Sequence, residues 1–148
     1  MSKLYIYYTL SGNGDAVAAY LKEKGYDIRK VESAKQPPKK FFFQMMQCGF
    51  NAGRRYCEPL NAYDADVSAY DTVVIGSPVW NGRLSCPINT VLKETGLKGK
   101  KVAFVLYSGS GEAQRAEQQI RAAAPDAEII HLKEPKKNPE MLQRLSDL

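Results

Sequence analysis

The chain has 148 residues, 44% of them apolar and 25% charged, close to globular averages, which excludes a disordered or collagen-like protein. Its length predicts one domain, 1–148, and leaves no room for separate cofactor and substrate domains. Lys and Arg outnumber Asp and Glu by 21 to 16, a formal net charge of +5, which favours an acidic partner without identifying one.

Cys48, Cys57 and Cys86 form neither a Cys-x-x-Cys pair nor an even set, so a reduced setting fits better than a secreted one. Residues 1–10 lack a signal-peptide pattern, and no stretch approaches a membrane span. The expected location is cytoplasmic, with no membrane partner.

Lys3–Tyr8 reads as a short strand rich in Leu, Ile and Tyr, followed by the small, polar run Thr9-Leu10-Ser11-Gly12-Asn13-Gly14 and a helix over Asp15–Lys24. Tyr26–Val31 is a weaker strand. Pro37–Tyr63 is too long for an ordinary connection and holds Phe41, Phe42, Phe43, Met45, Met46 and Phe50; its spacing predicts a helix within about Lys39–Arg55. Asp71–Gly76 is the next strand, then a loop containing Pro78, Gly82 and Pro87, then a helix over Ile88–Glu94. Lys101–Tyr107 is a strand ending in Ser108-Gly109-Ser110-Gly111, before a helix over Glu112–Ala124 that stops at Pro125. Ala127–Leu132 gives a fifth strand, with a last helix at about Pro139–Leu145. Near-continuous apolar strands alternating with helical segments predict an α/β fold, a three-layer doubly wound sandwich around a parallel sheet buried on both faces.

Three of these strands run into segments of small and hydroxyl residues: Thr9–Gly14, Ser77-Pro78-Val79-Trp80-Asn81-Gly82 and Ser108–Gly111. In a doubly wound sheet such carboxyl ends lie side by side, and ligands bind where the strand order reverses. The first loop offers the Thr9 and Ser11 hydroxyls and a run of amides at a helix start, a setting that attracts phosphate. Taken singly, such a loop is better explained as a turn and helix cap. The spacing is neither Gly-x-x-x-x-Gly-Lys-Ser/Thr nor Gly-x-Gly-x-x-Gly, which disfavours a nucleoside triphosphate or a dinucleotide site. Ser77 stands where a phosphoacceptor domain would carry Asp.

Thr9, Ser11, Gly12 and Asn13 resemble the phosphate loop Thr-x-Thr/Ser-Gly-Asn-Thr of flavodoxins and flavodoxin-like FMN proteins. Gly76–Arg83 and Ser108–Gly111 are similar to their second and third flavin loops, in the same order. The resemblance implies a five-stranded parallel sheet of order 2-1-3-4-5 holding FMN, with all three segments as cofactor-binding residues. Gly14 departs from the pattern, where a third hydroxyl is usual. The basic charge departs from acidic flavodoxins, so partner identity does not carry over.

Trp80 is the one Trp and offers a planar surface for the flavin ring, or for ordinary packing. Asn81-Gly82 tolerates positive φ and reads either as a plain turn or as a peptide that reorients with the flavin. Arg83 reads as a solvated charge or a stabiliser of reduced flavin, and Cys86 as a small buried residue. With His131 the one histidine, no metal cluster or Ser-His-Asp triad is expected. The paired basic residues, Lys136-Lys137 among them, read as solvated faces, with no nucleic-acid pattern. The leading expectation is an FMN protein carrying electrons between partner proteins, one possibly acidic. The alternatives are an NAD(P)H-dependent quinone or flavin reductase of the same fold, and a flavin-free binding module with a basic surface.

Overall fold

The computed structural model describes residues 2–34, 59–80, 82–111 and 113–148. The helix expected within Lys39–Arg55 lies outside them. Five strands pair in parallel: β1 (Lys3–Tyr7), β2 (Asp27–Lys30), β3 (Thr72–Trp80), β5 (Lys101–Ser108) and β6 (Glu128–Lys133). Their order is β2-β1-β3-β5-β6, and the short β4 (Arg83–Leu84) folds back on β3. The helices are α1 (Asn13–Glu23), α2 (Cys86–Glu94) and α3 (Gln114–Ala123), followed by a 3-10 helix over Pro139–Leu145. The five parallel strands thus take the expected 2-1-3-4-5 order, with β4 added outside the path.

The central strands are buried on both faces because each has a layer packed against it, which is why their sequences are apolar without alternation. On one side Ile6, Val73, Ile75 and Phe104 pack with Ile88, Val91 and Ile120 of α2 and α3. On the other, Tyr5, Tyr7, Val105 and Tyr107 pack with Val17 and Leu21 of α1 and Leu145 of the 3-10 helix. Each fully buried Leu, Ile or Phe here contributes roughly 1.5–3 kcal/mol relative to exposure.

The segment expected as a loop after Gly76 is instead mostly strand. Ser77 and Pro78 continue the parallel register opposite Leu106 and Tyr107, and Val79 and Trp80 pair antiparallel with Leu84 and Arg83. Pro78 lacks an N–H and reads as a break, but the hairpin to β4 supplies the pairing that carries β3 on to Trp80.

Candidate functional site

The carboxyl ends of β1, β3 and β5 lie in one row, with Tyr7 opposite Gly76 and Gly76 opposite Val105. The Tyr8 amide extends that row, donating to the Gly76 carbonyl at 3.2 Å. The Tyr107 hydroxyl donates to the Tyr8 carbonyl from below, so the first residue past β1 is anchored to β5 as well.

Thr9 shapes the loop that follows. Its Oγ1 accepts the amides of Gly12 at 3.1 Å and Gly14 at 3.0 Å, which leaves its own proton to donate outward. Gly12, with φ +93°, makes the left-handed turn that starts α1. A Cβ on Gly14 would sit 2.6 Å from the Tyr107 hydroxyl and 2.7 Å from the Tyr7 ring, so this position has no room for a third hydroxyl side chain. Ser11 is exposed, and Asn13 is half-buried, with its Nδ2 donating to Ser11 Oγ at 3.2 Å. Leu10 is half-buried against the core.

Asp15, the acid in the first turn of α1, accepts from the Tyr7 hydroxyl at 2.6 Å and pairs with Lys30 at 3.1 Å. Burial, then the bond to Asp15, holds the Tyr7 phenol well above its ordinary range; burial does the same for Tyr107. Neither phenol is set to ionise at neutral pH.

The second segment is divided. Ser77 is fully buried; its hydroxyl donates to the Pro78 carbonyl at 2.8 Å, accepts the Ser85 amide at 3.1 Å and lies 2.9 Å from Ser85 Oγ. It thereby fixes the residue that precedes α2. Trp80 is 5% exposed, its ring edge-on to Tyr8 at 5.6 Å, a packing position in the core. Pro78 and Val79 are half-buried, Asn81 lies outside the described residues, and Gly82, at φ +72°, gives its carbonyl to the Ala116 amide at 2.9 Å. In the third loop Ser108 Oγ accepts the Gly111 amide at 2.8 Å, while Gly109 and Ser110 are exposed.

The turn after β6 ties the first and third loops together. The Glu134 amide donates to the Ser108 carbonyl at 3.1 Å, and the Lys136 amide donates to Asn13 Oδ1 at 3.1 Å. The Lys136 ammonium lies 3.5 Å from the Ser11 carbonyl. Lys136 reads as part of a solvated face in the sequence because its contact with Asn13 joins residues far apart in the chain, made by the turn after β6. His131, by contrast, lies 2.6 Å from Glu117, with no link to these loops.

The donors gathered here, namely two hydroxyls, the amide end of α1 and an ammonium, suit an anion, and the one acid in that turn is already engaged. A surface cavity of about 650 Å³ lies at the opposite edge, lined in part by Leu97, Lys101, Ala124 and Glu128. There α2 and α3 present their carboxyl ends beside Lys98, Lys100, Lys101, Asp126 and Glu128, a lining of mixed charge without the helix-start amides of the first loop. The residues therefore fit FMN at the first edge.

A doubly wound sheet in this strand order defines a flavodoxin-like fold. The chain belongs to the NADPH-dependent FMN reductase family, whose profile matches residues 12–139. An FMN-binding flavoprotein of the oxidoreductases is the class that family and fold define together. A protein from Bacteroides eggerthii described as a flavoprotein is similar in structure, with a TM-score of 0.77 and 18% identity, covering 99% of this chain and 96% of that one. A Lactobacillus acidophilus flavoprotein in complex with FMN gives 0.67 and 19%, covering 95% and 97%. Oxidised flavodoxin 2 from Bacillus cereus gives 0.53 and 18%, covering 98% and 94%. No curated protein matches the chain. Among the described residues no helix is long and apolar enough to cross a membrane.

Proposed function

We propose that this protein is an NAD(P)H-dependent reductase that holds FMN at the carboxyl edge of β1, β3 and β5 and passes electrons to a small acceptor such as a quinone or free flavin. The observation that carries the reading is the family match, which runs from Gly12 at the start of α1 through the second and third segments and beyond β6. FMN, when bound, would supply the two-electron redox chemistry, and the protein supplies binding, orientation and electrostatics.

The Thr9 and Ser11 hydroxyls and the Asn13 amide, between the two glycine amides that Thr9 Oγ1 accepts, take the phosphate in this reading, and Ser108–Gly111 flanks the ring. The inward position of Trp80 is compatible with it, since the one indole packs edge-on against Tyr8 in the core. A carrier between proteins is the second reading. It is favoured by the net charge of +5, which would steer an acidic partner onto the surface.

Steady-state oxidation of NADH and NADPH by the FMN-loaded protein, with a quinone as acceptor, separates the two. Turnover with no donor protein and little salt dependence is expected. Reduction that requires a donor protein and slows as salt rises would replace the reductase with the carrier.

A further inference from the structure

Lys136 is delivered to the first loop by a turn built for the purpose. Glu134 adopts φ +41°, a left-handed conformation uncommon outside glycine, and its carbonyl accepts the amides of both Lys137 and Asn138 at 2.9 Å. Asn138 Nδ2 closes the turn onto the Lys133 carbonyl at 3.1 Å. The lysine stem then crosses directly over Gly12: a Cβ there would stand 3.2 Å from Lys136 Nζ and 3.3 Å from its Cδ. The left-handed glycine therefore serves the helix start and also leaves space for the side chain above it.

Among the described residues no carboxylate is paired with this charge. The ion pairs among the described residues leave Lys136 out, and the acid of its own turn, Glu134, is paired with Lys137 at 3.4 Å. The Ser11 carbonyl, at 3.5 Å, is at the long limit of a hydrogen bond. An exposed ammonium held over a helix N-terminus, with weak internal bonding, adds its charge to that of the amides beneath it.

We infer that Lys136 is a cofactor-binding residue, the cation that contacts the FMN phosphate from above the β1–α1 loop and sets FMN apart from riboflavin. The inference rests on the phosphate placement proposed above. The strap to Asn13 runs through the backbone amide of Lys136, so a side-chain substitution removes the ammonium and leaves the strap in place.

Flavin fluorescence titrations of Lys136→Ala, Lys136→Gln and Lys136→Arg, with FMN and with riboflavin at low and high salt, test it. FMN binding is expected to weaken by about tenfold in the Ala and Gln variants, the scale of one charge-assisted contact, while riboflavin binding is unchanged. The salt dependence of FMN binding should flatten, and Arg should restore most of the affinity. Ser11→Ala, at an exposed position, reports separately on the loop. If Ser11→Ala lowers the preference for FMN over riboflavin and Lys136→Ala does not, the Lys136 assignment is overturned while the site stands; if neither lowers it, both fall. An unchanged FMN affinity with a raised KM for NADPH but not NADH would place the lysine on the dinucleotide and overturn it as well.

Discussion

At Gly14 the missing side chain is dictated from beneath, by the Tyr107 hydroxyl and the Tyr7 ring that occupy the space a Cβ would need. Gly14→Ser should therefore cost about 1–3 kcal/mol as an overpacked site, and denaturant unfolding of the variant measures it. If it proves as stable as the parent, the loop yields more readily than this packing allows. Tyr107→Phe should cost about 1–3 kcal/mol by leaving the Tyr8 carbonyl without its donor, with a loss of FMN affinity as the loop start loosens. The same phenols set an alkaline limit. Burial raises the folded-state values of Tyr5, Tyr7 and Tyr107 above the ordinary range, so the folded state holds their protons more tightly than the unfolded chain does. Their contribution is complete below the ordinary phenol value of about 10 and is lost as pH rises beyond it. Urea midpoints followed upward from neutral pH should fall in that window; a flat profile there would contradict the assignment.

Among the elements, β3 and its hairpin show where a sequence stops being legible. The run Val73-Val74-Ile75 announces a buried strand, but its continuation depends on β5 opposite Ser77 and Pro78 and then on β4, a partner of two residues with no signature of its own, opposite Val79 and Trp80. Ser77 reads as a loop hydroxyl for the same reason, although its real partner is Ser85, brought to it by that hairpin. Ser77→Ala should cost about 1–3 kcal/mol, because the buried Ser85 amide loses its acceptor, and thermal melts with and without FMN should show the loss in both states. A loss confined to the FMN-bound state would instead make Ser77 a cofactor contact. The α1 start was legible from Thr9, Ser11, Gly12 and Asn13, since local capping chemistry is written in consecutive residues. The turn over Glu134–Asn138 was not, because its role comes from hydrogen bonds to Ser108 and Asn13, residues distant in the chain.

For the whole molecule, the sheet separates two ends of opposite character. At the carboxyl edge the amide end of α1 meets the hydroxyls of the first loop and Lys136; at the other, the carboxyl ends of α2 and α3 border the cavity lined by Leu97, Lys101 and Glu128. Alternation of apolar strands and helices made the parallel α/β sheet readable, whereas its strand order came from the resemblance carried by the three segments. What residue spacing left open was whether electrons arrive from a protein or from a nicotinamide, because that depends on access to the bound ring. The placement of FMN is tested most directly by amide NMR shifts as FMN, and then riboflavin, is titrated into the cofactor-free protein. FMN should move the amides of Ser11–Gly14 and Ser108–Gly111 most, and riboflavin should leave Ser11–Gly14 largely in place. Shifts concentrated instead at Lys98–Val102 and Ala123–Glu128 would put the flavin at the opposite edge and contradict the account.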